Sequence, residues 1–110
     1  MATELAEKEC LACKGGLPRL TEAEHVEYLK QLGEGWSVVD GHHLRKGFSF
    51  ADFAEALSFA NKVGVMAEAN QHHPELRVSW GKVDVLIWTH NVDGLTESDF
   101  VLAAKTDLID

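Results

Sequence analysis

Apolar positions change their spacing along this chain in a way that separates helices from strands. Across 51–70, Phe53, Ala56, Leu57, Ala60, Val63, Gly64 and Ala67 recur at three- and four-residue steps, the period of an amphipathic helix. Beyond Pro74 the step drops to two. Leu76, Val78 and Trp80, then Val83, Val85 and Ile87, alternate with other residues on either side of Gly81-Lys82, which predicts a hairpin turning at that pair. Upstream, 36–40 and 43–50 read as two more strands about a Gly41-His42 turn, with Leu44, Phe48 and Phe50 on one face. Thr21-Glu22-Ala23-Glu24 fits a capping box and opens a helix over 22–32, closed by Gly33 and Gly35. Thr96 and Asp99 repeat that arrangement ahead of Phe100, Ala103, Ala104 and Leu108, the apolar stripe of a terminal helix.

The order α-β-β-α-β-β-α predicts an α+β fold, a four-stranded antiparallel sheet with helices on one face. Residues 1–20 show little periodicity and are expected to form a loosely ordered arm before a single domain at 21–110. A chain of 110 residues, 45% of them hydrophobic, suits one core but is only modestly self-sufficient, so self-association is expected. No apolar run approaches a membrane span and the polar, acidic N-terminal stretch lacks a signal-peptide core, so a cytoplasmic protein without membrane contact is expected. The net charge of -8, with basic residues scattered, weighs against direct nucleic-acid binding, which needs clustered Lys and Arg.

Chemistry concentrates in two stretches, Gln71-His72-His73-Pro74 and Thr89-His90, which hold three of the six histidines. A turn at Gly81-Lys82 pairs Trp80 with Val83 and Leu76 with Ile87, and the same register sets His73 opposite His90, with Cβ atoms about 4.5–5.5 Å apart. Pro74 disfavours the helical region for His73, so the preceding helix is expected to stop near His72, with Glu68 four residues back on the same face. Three imidazoles at one place suit proton transfer or metal binding. Trp88 falls on the histidine side of its strand and Trp80 on the apolar side, as core. His25, His42 and His43 lie outside this group, with surface or turn roles expected. Zinc is disfavoured because tandem His72-His73 cannot easily aim both rings at one ion from regular structure. Cys10-Leu11-Ala12-Cys13 lacks two further ligands for a structural zinc and the βαβ setting of a redox motif, so a reduced pair without a catalytic role is expected.

Glu68, His72-His73-Pro74, Trp80, His90 and Asp99, at their spacings and with Gly94-Leu95-Thr96 between the last two, resemble the signature of the pterin-4a-carbinolamine dehydratases. The similarity runs from about Trp36 to the C-terminus. It implies the same four-stranded fold, assembly into homodimers or homotetramers, and a pterin substrate dehydrated without metal or redox cofactor. It also implies a functional link to phenylalanine hydroxylase. The resemblance gives His72, His73 and His90 as catalytic residues: His72 and His90 as the acid and base pair, His73 orienting substrate. Glu68, Trp88 and Asp99 are expected as binding or supporting residues, Asp99 reading more readily as a helix cap than as a catalytic group. Other relatives serve as a transcription coactivator or a Rubisco assembly factor; the complete histidine set favours the enzyme.

Overall fold

In a computed structural model that describes residues 5–8 and 18–109, helices and strands follow the expected order. They are α1 (Glu22–Leu29), β1 (Ser37–Val39), β2 (His43–Ser49), α2 (Phe53–Asn70), β3 (Glu75–Ser79), β4 (Lys82–Ile87) and α3 (Glu97–Asp107). The four strands form one antiparallel sheet in the order β1-β2-β4-β3. Val83, Val85 and Ile87 of β4 and Leu44 of β2 supply its buried face, against Ala56, Phe59, Ala60 and Val63 of α2. Helix α3 is buried on nearly every side, from Phe100 through Ala104, so it fills the core rather than covering it. Leu108, expected in its stripe, lies past the helix end and is 58% exposed. Phe53 and Leu57 likewise sit at the exposed rim of α2, because its buried stripe turns instead through Phe59. Leu5 and Ala6 of the N-terminal stretch pack into the same core, whereas Cys10 and Cys13 lie outside the described residues. No helix among the described residues is long and apolar enough to cross a membrane.

Two turns decide where the site residues fall. Between β1 and β2, Asp40 (φ 55°) and Gly41 (φ 63°) both occupy the left-handed region, and the His42 N–H donates to the Val39 carbonyl at 2.9 Å. This is an Asp-Gly turn of the type that matches strand twist, so the turn sits one residue earlier than expected and Val39 pairs with His43. Between β3 and β4, Ser79 pairs with Lys82 and Leu76 with Val85, so the loop is Trp80-Gly81 and not Gly81-Lys82. The reason lies at the neighbouring strand end. The Phe50 N–H donates to the Gly81 carbonyl at 2.8 Å, and a Cβ at Gly81 would stand 2.9 Å from the Phe50 carbonyl oxygen, so only glycine fits in the loop there. Each β3 residue therefore meets β4 two positions earlier than expected. Facing residues keep their side of the sheet, because the pleat has a period of two. Trp80 does not: placed in the turn, it is 70% exposed rather than core. Continued past Pro74, the observed register sets His73 across from Trp88, not His90.

Candidate active site

Helix α2 ends at Asn70, and Gln71 follows in the left-handed conformation (φ 52°). The N–H groups of Gln71 and His72 return to the carbonyls of Glu68 (3.1 Å) and Ala67 (3.2 Å), the Schellman pattern that satisfies helix-end carbonyls. The chain is thereby swung off the helix axis and His72 enters the interior, 6% exposed. Its Nε2 lies 2.6 Å from Oδ1 of Asp99, which is fully buried in the first turn of α3. The second carboxylate oxygen accepts from the Thr89 hydroxyl and the Thr96 backbone N–H, each at 2.8 Å. The hydroxyls of Thr89 and Thr96 also meet, at 2.9 Å. A buried carboxylate with both oxygens bonded offsets the cost of leaving water. An ionised carboxylate only accepts, so opposite it Nε2 of His72 is the donor and Nδ1 is the nitrogen left facing away from Asp99.

The same helix ending reassigns Glu68. Its carboxylate bonds Nε2 of His73 at 2.8 Å, not His72, and both partners are exposed. The left-handed residue removes His72 from the helix face on which a four-residue spacing would have paired it with Glu68.

His90 opens a single 3-10 turn, His90–Val92, closed by Asp93 in the left-handed conformation. The indole of half-buried Trp88 lies against its ring edge-on, with centroids 4.7 Å apart. Gln71, His72, His73, Trp88, Thr89, His90 and Asn91 line one open cavity of about 150 Å³. All three histidines singled out from the sequence are thus brought to one cavity. Glu68 and Asp99 lie behind it, each bonded to a lining histidine. A larger depression of about 670 Å³ runs along the outer face of α2 past Leu57, Val65 and Met66, but no imidazole or carboxylate lines it. Among the described residues, no group of three or more His, Cys, Asp or Glu side chains is arranged to hold a metal ion.

Two histidines set aside in the sequence belong to this neighbourhood. Leu44 pairs with Ile87, so the next step of the β2–β4 ladder brings His43 to Trp88, ring centroids 5.8 Å apart. His42 also packs on Trp88 (5.3 Å) and bonds Asp93 through Nε2 at 2.7 Å, while its Nδ1 meets that of His43 at 3.1 Å. Burial and the neighbouring His42 push His43 below the ordinary imidazole value. The hydrogen bond from His42 holds Asp93 below the usual carboxylate range. No pattern within either hairpin reveals this; it depends on β2 and β4 being neighbours. His25 departs from its expected surface role too, lying 6% exposed beside Phe100.

Comparison with known proteins identifies the family. Residues 18–109 match the model of the family described as pterin 4 alpha carbinolamine dehydratase. A Rubrobacter xylanophilus protein, provisionally named pterin-4-alpha-carbinolamine dehydratase, is 54% identical over 96% of this chain and 97% of its own. An Alkaliphilus metalliredigens protein of the same provisional name is 50% identical over 94% of this chain and 93% of its own. Among solved structures, a transcriptional coactivator/pterin dehydratase from Brucella melitensis superposes with a TM-score of 0.75 at 40% identity, covering 82% of this chain and 96% of that one. A pterin dehydratase-like Rubisco assembly factor of the alpha-carboxysome shares the fold at 20% identity, TM-score 0.57, over 67% of this chain and 87% of that one. With its α+β fold and its histidines gathered at one cavity, the chain belongs to the pterin 4 alpha carbinolamine dehydratase family.

Proposed function

We propose that the protein dehydrates a 4a-hydroxytetrahydropterin to the quinonoid dihydropterin and water. The observation that carries this reading is the convergence of His72, His73 and His90 on one cavity, with Asp99 bonded to His72. The reaction breaks the C4a–O bond, removes the N5 proton and forms the C4a–N5 double bond. Hydroxide leaves poorly, so an acid delivers a proton to it while a base accepts the proton from N5, each transfer contributing about 10²–10⁴-fold. His72, its Nδ1 facing away from Asp99, is the base; His90 in its protonated form is the acid. His73, held by Glu68, orients the pterin, and Trp88 walls its ring. One proton enters the pair and one leaves, so solvent exchange resets it. Water is eliminated and no electrons are exchanged, so the chemistry calls for no redox cofactor.

In this reading the enzyme returns a pterin oxidised by an aromatic amino acid hydroxylase such as phenylalanine hydroxylase, and works in the cytoplasm as a homodimer or homotetramer. The exposed Leu57 and Val65 on α2 and the open edge of β3 support self-association. The other reading, a non-catalytic binding or assembly module, draws on the apolar depression along α2. An assay separates the two. Purified protein mixed with carbinolamine generated in situ is expected to speed quinonoid dihydropterin formation well above the spontaneous rate; equality with the spontaneous rate leaves only the module.

A further inference from the structure

The three cavity histidines do not account for the neighbouring imidazoles. His42 leaves the tip of the β1–β2 hairpin and makes two contacts at once. Its ring packs on Trp88, and its Nε2 bonds Oδ1 of Asp93 at 2.7 Å. Both partners adjoin His90. Trp88 meets the His90 ring edge-on, and Asp93 closes the 3-10 turn that His90 opens, its N–H donating to the His90 carbonyl at 3.2 Å. Among the contacts that bind this exposed turn to the body of the protein, one more comes from Arg19, whose Nη2 donates to the Val92 carbonyl at 2.6 Å.

The hydrogen-bond chain is anchored at its Asp93 end. The Asp93 carboxylate can only accept, so Nε2 of His42 carries a proton. The two Nδ1 atoms of His42 and His43, 3.1 Å apart, then share one proton between them. The rings of both histidines therefore have fixed orientations beside the indole, and Trp88 is bracketed by three imidazoles.

We propose that His42 is a positioning residue for the acid/base site: through Asp93 and Trp88 it fixes the turn that carries His90 and the indole wall of the cavity. His42 does not itself line the cavity, so its effect is on geometry rather than on proton transfer. The proposal rests on the dehydratase reading for its kinetic consequence, but not for its structural one.

The test uses His42→Phe, which keeps a ring against Trp88 but cannot donate to Asp93, His42→Gln, which restores a side-chain N–H, and Asp93→Asn, which removes the carboxylate from the other end. With carbinolamine as substrate, His42→Phe and Asp93→Asn are expected to lower kcat about tenfold with KM nearly unchanged, as for a small misplacement of a reacting group, and His42→Gln to recover most of the loss. In NMR spectra the Trp88 indole N–H and the His90 ring signals are expected to move in His42→Phe and Asp93→Asn. Wild-type kcat in both variants would overturn the proposal. If the wild-type protein proves inactive, the dehydratase reading fails separately, and the spectra decide: unmoved Trp88 and His90 signals overturn the positioning role, moved ones sustain it.

Discussion

Nε2 of His72 and Oδ1 of Asp99 meet at 2.6 Å inside the protein, joining the second residue past α2 to the first turn of α3. The same Asp99 carboxylate takes up the Thr96 N–H, so one side chain caps a helix and orients a cavity histidine. Asp99→Asn turns one of its acceptor oxygens into a donor, facing either the His72 N–H or the Thr96 N–H. Unfolding by urea should show a loss of about 2 kcal/mol or more, because a buried donor is left unpaired. Dehydration should slow by at least tenfold. Retained stability together with retained rate would show that Asp99 supports neither function.

Glu68 and His73 form the opposite case. Their 2.8 Å contact is exposed on both sides, and a solvated pair of this kind contributes between zero and about 1 kcal/mol. Glu68→Gln should therefore leave the urea midpoint almost unchanged. Its effect should appear in KM, through a less fixed His73; a large stability loss would mean that the carboxylate has a structural role the contact does not explain.

How much of this was legible in the sequence depends on the range of the signal. Capping residues and apolar periods act within a few residues, so the helices, strands and their order follow directly from them. The second hairpin was displaced because Gly81 suits two turn positions, and the choice is made by Phe50, more than thirty positions away in the chain. The pairing of Glu68 with His73 was missed because a single left-handed residue, Gln71, redirects the chain, and no glycine advertises it. His42 and His43 stayed hidden for a third reason. Their approach to Trp88 arises from the pairing of β2 with β4, and strand order is a property of the whole sheet rather than of any local pattern.

Trp80 gives a sharp check on the corrected register. Exposed in the turn, it has little core contact to lose, so Trp80→Gln should shift unfolding by no more than about 0.5 kcal/mol. A core tryptophan at that position would cost several times as much, and a loss of about 3 kcal/mol would restore the Gly81-Lys82 turn.

His43 predicts a pH dependence of stability. Burial and the charge of His42 lower its folded value below the 6.5 of an unperturbed imidazole, so the unfolded chain binds this proton more tightly than the folded one. Acid therefore favours unfolding: the contribution is intact above about pH 6.5 and is lost as pH falls from there through the lowered folded value. Urea titrations from pH 7.5 to 5 should show a shallower decline for His43→Gln than for the wild-type protein. Parallel declines would remove His43 from the explanation.

If the histidines at the cavity perform the dehydration, their removal must appear in its rate. The most direct measurement is the rate of quinonoid dihydropterin formation from carbinolamine generated in situ, compared for the wild-type protein, His72→Ala and His90→Ala, each confirmed as folded. Each variant is expected to fall by about 10²-fold or more. Folded variants that turn over at the wild-type rate would contradict a catalytic role for these histidines.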